Sequence, residues 1–251
     1  MRAYPHRPDE ASLLEDRDFY VSIFKPDSVI VGAAPATTEE PIWALNAERG
    51  LWCAAYVYAF EGPVEMVRNY LERSNSSFTM GLERRSPFDL GALMQQLASA
   101  VVVNDVALAT RLCTLEPARY EVEGSTFIPA VQREFGIWQS LILGQPAEAL
   151  QRLQQAEAAL AGEKLPRATL KECTSMLALF RAVLGGDVVA LNQALTQRAE
   201  AIATTYKSPS ARQEPDALLD LPGLALAAIA RRQGLAPVTD AVCLPLAVAV
   251  A

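Results

Sequence analysis

A single histidine, His6, serves the whole chain of 251 residues. Any Ser-His-Asp or Cys-His nucleophile site, and any zinc site with a histidine ligand, would have to use it. It lies in the Pro/Arg-rich opening MRAYPHRPDE, which reads as a mobile, solvated tail. Cysteine is scarce too. Cys53, Cys113, Cys173 and Cys243 lie far apart inside apolar patterns, with no paired CxxC spacing. They read as buried free thiols, which leaves neither a disulfide frame nor a metal site to expect. The phosphate-cradling patterns GxxxxGK[ST] and GxGxxG do not occur, so no nucleotide cofactor is expected. Apolar runs are broken by Gly, Pro or charge well before the ~20 residues that a membrane span needs. The N-terminus has no apolar signal-peptide centre, so a cytoplasmic protein without a membrane partner is expected. Basic residues are outnumbered, 22 Lys and Arg against 29 Asp and Glu, for a net charge of −7. That balance argues against direct nucleic-acid binding, which needs a basic stripe, and suits a basic partner.

What is present is a regular succession of broken helices. In AVLGGDVVAL at 182–191, two glycines interrupt an apolar run, each costing about 1 kcal/mol if the helix continues. A helix that stops at glycine and restarts at Asp187 removes that cost. The same form recurs in LILGQPAEAL, VVVNDVALAT and AFEGPVEMV. The restart residues Pro63, Asp105, Pro146 and Asp187 are spaced by 42, 41 and 41 positions. A constant period near 40 marks stacked two-helix units, none able to bury its apolar face alone.

The fold read from this pattern is all-α, a TPR/HEAT-like array of stacked antiparallel helical hairpins. Residues 1–40 hold four Lys/Arg against eight Asp/Glu and form an acidic N-terminal segment on or beside the domain. It contains a short amphipathic helix ending at Lys25-Pro26 and then an extended linker. Residues 41–251 make a single helical domain of about four to five pairs. A helix spans Ile42 to Phe60, Ser86-Pro87 opens another, and LALAAIARRQG is the last. The short apolar tail from Ala241 docks as a final extended segment.

In such an array the tight turns lie along one edge and the links between pairs along the other. The links near 74–86, 116–127 and 206–220 are long and rich in charge and aromatics, and loops on a rigid scaffold are where recognition usually resides. They supply the partner-binding candidates: Glu83 and Arg84, then Arg119, Tyr120, Glu121 and Glu123, then Tyr206, Glu214 and Asp216. Tyr120 and Tyr206 could equally pack inward to tie these loops down. Glu61, Glu65 and Glu72, like Glu116, Glu121 and Glu123, are read as solvated carboxylates. Trp43, Trp52 and Trp138 keep apolar helical registers and are read as core. Arg84-Arg85 and Arg231-Arg232 are isolated pairs, too small for a nucleic-acid track. No catalytic residue is assigned.

The final third, GGDVVALNQAL followed by TYKSPSARQEPDALLDLPGLALAAIARRQGLAPVTDAVCLPLAV, resembles the immunity protein 49 family of bacterial polymorphic-toxin systems. The features that carry the resemblance are the helix Leu224 to Ala230, the turn Gly234-Leu235 and Leu244-Pro245. The hinge at Gly186-Asp187 and GQPAEAL at 144–150 also fit. The resemblance implies an antitoxin, not an enzyme, that binds and neutralises the toxic domain of a cognate secreted effector. The complex would be stoichiometric, one monomer in a heterodimer, and the acidic charge points to a basic toxin such as a nuclease. A helical-repeat adaptor or chaperone that carries an effector without inhibiting it is the alternative.

Overall fold

The turns expected at Gly62, Asn104, Gly144 and Gly185-Gly186 all separate helices. The computed structural model describes residues 1–24, 36–85, 88–116, 129–208 and 211–250, with helical backbone alone along 36–44. Among them are eleven α-helices: α1 Glu10–Ile23, α2 Ala36–Ala59, α3 Val64–Glu83, α4 Leu90–Val102, α5 Val106–Cys113, α6 Pro129–Ile142, α7 Pro146–Leu160, α8 Arg167–Gly185, α9 Val188–Thr205, α10 Pro215–Leu218 and α11 Leu221–Arg232. Helices α2/α3, α4/α5, α6/α7 and α8/α9 form hairpins, and successive hairpins touch through α3/α4, α5/α6 and α7/α8. The fold is the all-α helical array that the period implied.

Local chemistry accounts for the breaks. The left-handed residues are Glu61, Asn104, Gly144 and Gly186, with φ of 61°, 64°, 71° and 66°. Two of the four restarts are capped by a side chain: Asp105 accepts from Leu108 N–H at 3.0 Å, and Asp187 accepts from Val189 and Ala190 N–H at 2.9 and 3.1 Å. Such a cap contributes about 1 kcal/mol. The two glycines of the fourth turn have separate roles. Gly185 ends α8 and Gly186 takes the left-handed conformation, and a methyl group at either would meet open space. Gly186→Ala is therefore expected to cost about 1–2 kcal/mol through backbone strain alone. Gly185→Ala is expected to be neutral or to stabilise by up to about 1 kcal/mol. Urea unfolding of both variants checks this, and equal effects would contradict the assignment.

Helix α11 is the centre of the array. Leu224, Ala225, Leu226, Ala227 and Ala228 are each 0% exposed, and α4 and α8 pack on it. A helix apolar on every side is one enclosed on every side, and its small alanines let the neighbours approach closely. Its N-cap is Asp220, which accepts from Gly223 N–H at 3.3 Å, so the helix begins three residues before the expected LALAAIARRQG.

The N-terminal end of the chain departs from expectation. Arg2 N–H donates to the Ala59 carbonyl at 2.8 Å, and its guanidinium sits 4.2 Å from the Tyr58 ring centroid. Tyr4 is buried, and its hydroxyl donates to the Leu218 carbonyl at 3.0 Å. His6 is buried against the Tyr4 ring, not mobile and solvated, because this anchored segment carries it onto the core. Burial, reinforced by Arg212, pushes the His6 pKa down. Helix α2 opens at Ala36, within the stretch expected to be extended. The start expected at Ser86-Pro87 lies outside the described residues, and α4 is capped by Asp89, which accepts from Ala92 N–H at 2.8 Å.

The tail is held by arginines. Arg231 donates to the Leu246 carbonyl at 2.5 Å, and Arg232 donates to the carbonyls of Val101 and Val250 at 2.6 and 3.0 Å. Arg68 donates to the Val248 carbonyl at 2.8 Å and to that of Ala247. The Arg231-Arg232 pair thus anchors chain rather than facing a ligand.

Candidate functional site

Helices α2, α4 and the α10 region enclose a cleft of about 530 Å³. That is within the range of clefts that bury a ligand or an anchoring side chain, roughly 300–1,000 Å³. Its apolar wall comes from Leu45, Leu51 and Trp52 of α2, Phe78 of α3, Phe88, and Leu219 and Leu221. Trp52 is half-buried and forms this wall, whereas Trp138 is core, 2% exposed and edge-on to Phe180 at 5.0 Å. The Trp43 side chain lies outside the described residues. Periodicity could not separate the two tryptophans, because both occupy the apolar stripe of their helices. Only the gap left between α2, α4 and α10 exposes one of them.

Three carboxylates line the same cleft, from Glu48, Asp89 and Asp216. Asp216 is exposed at the cleft. Desolvation by the protein around it pushes its pKa up to about 7, with Asp220 and Glu172 adding to the rise and Arg198 opposing it. Burial likewise raises Glu48, with Asp89 adding and Arg49 opposing. The acidic character continues around an aromatic cluster beside the cleft. Tyr20 of α1 lies edge-on to Trp52 at 4.7 Å and stacks on Tyr56 at 5.8 Å. Burial raises the Tyr20 pKa, and the carboxylates of Asp16, Glu48 and Glu214 raise it further. On α1 the neighbouring Phe19 is 57% exposed.

Behind Asp216 lies a buried ion pair. Arg198 and Asp220, 5% and 1% exposed, meet in a two-pronged contact at 3.0 and 3.1 Å. Arg198 also faces the Glu172 carboxylate at 3.6 Å. Glu134 is pushed up to about 7, by burial and by Glu172 and Asp220, with Arg198 and a hydrogen bond from Trp138 opposing. Perturbed carboxylates can mark catalysis. The cavity beside Glu134 holds about 10 Å³, however, room for roughly one water and no substrate. Asp220 meanwhile caps α11 and donates its own N–H to the Cys243 carbonyl at 2.9 Å. The geometry assigns this cluster to joining α9, α11 and the tail.

The residues proposed from the links are dispersed. Glu214 and Asp216 lie on the acidic face, the latter in the cleft. Glu83 ends α3 and faces Arg111 of α5 at 3.9 Å, and Arg84 follows as the C-cap. Tyr206 is half-buried and packs against the core, its pKa raised by burial and then by Asp216. Arg119, Tyr120, Glu121 and Glu123 lie outside the described residues. The sequence reading missed Glu48, Trp52 and Asp89. Their signal was slight: a Glu-to-Trp step of four in NAERGLW, and the capping pattern in SPFDLG.

The cysteines are free thiols, three of them buried and Cys173 partly so. Burial pushes Cys53, Cys113 and Cys243 up to about 12 and Cys173 to about 11, far from a reactive thiolate. Among the described residues no helix is long and apolar enough to cross a membrane, and no group of His, Cys, Asp or Glu could hold a metal ion.

A helical array whose open face is a cleft of aromatics and carboxylates belongs to the class of binding scaffolds. The family profile of Immunity protein 49 matches residues 42–247, and the chain belongs to that family. Its role is, in general terms, that of an immunity protein, one that binds a toxin partner. Comparison with curated proteins and with solved structures returned no match.

Proposed function

We propose that the protein neutralises the toxic domain of a cognate secreted effector by forming a stoichiometric, non-catalytic complex in the cytoplasm of the cell it protects. Membership of the immunity protein 49 family over residues 42–247 is the observation that carries this reading. The acidic, aromatic face formed by α1, α2 and the α10 region supports a basic toxin, with a nuclease as the leading candidate. Interfaces concentrate affinity in a few aromatic or arginine anchors ringed by polar groups. Tyr20, Trp52 and exposed Phe19 supply the anchors here, and Asp16, Glu48, Glu214 and Asp216 the ring. The link residues Glu83, Arg84, Arg119, Tyr120, Glu121, Glu123 and Tyr206 remain proposed contributors to the same partner surface.

Co-expression tests the reading. Cells making the toxin domain encoded beside this protein's gene should survive only when this chain is also made, and the pair should co-elute from a sizing column. Killing that proceeds unchanged despite a folded, abundant chain would refute it.

A further inference from the structure

We infer that the cleft between α2, α4 and the α10 region seats a basic side chain of the toxin, an arginine whose guanidinium lies against Trp52 among Glu48, Asp89 and Asp216. This rests on the toxin-binding reading and specifies the chemistry of the contact.

The polar groups of the cleft ask for a donor. Its three carboxylates are acceptors, Asp89 already accepting from Ala92 N–H as the α4 cap, and among the described residues none of them sits in an ion pair, those pairs being made elsewhere. Arg49 and Arg198 act on Glu48 and Asp216 only as weaker opposing charges. Gln95 also lines the cleft, and its Oε1 is buried without a hydrogen-bond donor among the described residues. Its neighbour Gln96 is by contrast satisfied, bonded to Asn75 and accepting from Ser74 Oγ at 3.1 Å.

A guanidinium answers this arrangement. It carries five N–H donors and no acceptor, and its plane stacks on an aromatic face. The apolar wall of Leu45, Leu51, Phe78 and Leu219 takes the methylene stem. A purely apolar side chain would fit the wall and leave Glu48 and Asp216 without a donor, which is costly once water is excluded. Lysine fits less well, because a compact, strongly hydrated ammonium neither stacks nor spans several acceptors.

The cation and the acids are thermodynamically linked. Asp216 faces Asp220 and Glu214 from its own region, Glu172 from α8 and Arg198 from α9, and holds its proton until about pH 7. A guanidinium favours the ionised form, so affinity strengthens as pH rises from 6 to 8 and weakens below.

The first test needs no toxin. N-acetyl-arginyl-leucinamide is titrated into the full chain while the Trp52 indole N–H is followed by NMR, assigned through Trp52→Phe. The matching citrulline peptide, equal in shape and uncharged, is the control. The arginine peptide should bind at least roughly tenfold more tightly, and Asp216→Asn should remove most of that advantage along with the rise between pH 6 and 8. Equal binding of the two peptides, or none by either, overturns the inference. The second test uses the cognate toxin domain. Asp216→Asn and Glu48→Gln are close to isosteric and relieve crowding of like charge, so both should fold; together they should weaken the complex roughly tenfold or more. Unchanged affinity overturns the arginine site and leaves the immunity reading standing. Failure of the wild-type chain to bind any toxin overturns both.

Discussion

Arg198→Met should destabilise the protein by about 3–5 kcal/mol, because it strands the carboxylate of Asp220 in the interior. Asp220 is 1% exposed and has no second cation at ion-pair distance among the described residues. Its remaining partner, the N–H of Gly223 at 3.3 Å, is a weak replacement. In a chain of this size a loss of that order lowers Tm by roughly 10 °C. Removing both charges is a different matter. Arg198→Met combined with Asp220→Leu abolishes the unpaired charge and leaves about 1 kcal/mol for the lost α11 cap, together with a repacking cost. The double variant should therefore be more stable than Arg198→Met alone. Urea unfolding of the two variants decides. A single variant within 1 kcal/mol of wild type would show that the pair does not join α9 to α11 as the geometry indicates.

Removing the tail from Ala241 onward should be as damaging. Leu244, Val248 and Ala249 are 1%, 0% and 3% exposed. Fully burying a Leu or Val contributes about 1.5–3 kcal/mol, so two such residues alone approach 3–6 kcal/mol. The carbonyls of Leu246, Ala247, Val248 and Val250 also satisfy Arg231, Arg68 and Arg232. Truncation at Asp240 should give a chain that unfolds at low urea or binds a hydrophobic dye at neutral pH. Arg231→Ala should cost far less, since water can reach the freed carbonyls at that partly buried site. A truncated chain with wild-type unfolding would mean that the tail merely covers the surface.

The buried ion pair was hidden in the sequence for the same reason that the hairpins were visible, whereas the docking of the apolar tail from Ala241 was legible. A turn is written locally. Asn104-Asp105 or Gly186-Asp187 carries the left-handed residue and the cap side by side, and the spacing repeats. The Arg198–Asp220 pair joins residues from different helices, and each looks like ordinary surface charge within its own segment. The acidic count of the N-terminal stretch was legible, whereas the anchoring of Arg2 and Tyr4 was not, because their partners are carbonyls of Tyr58, Ala59 and Leu218. The cleft shows the limit most clearly. It gathers Glu48, Asp89 and Asp216 from three separated stretches, and only the packing of α2, α4 and the α10 region brings them together. Family membership was legible in the Ala/Leu-rich α11, with the Gly234-Leu235 turn and Leu244-Pro245 after it. That segment forms the buried centre of the fold, where packing leaves little freedom of residue type.

The central claim, neutralisation by binding, is tested most directly by titrating a fixed amount of the cognate toxin domain with the purified protein and measuring residual toxin activity. Stoichiometric inhibition should give a straight decline to zero at one equivalent, with activity recovered when the complex is dissociated and the toxin repurified. Complete and lasting inactivation at a small fraction of an equivalent would instead make the protein an enzyme acting on the toxin. Full toxin activity at a large excess of folded protein would contradict the account outright.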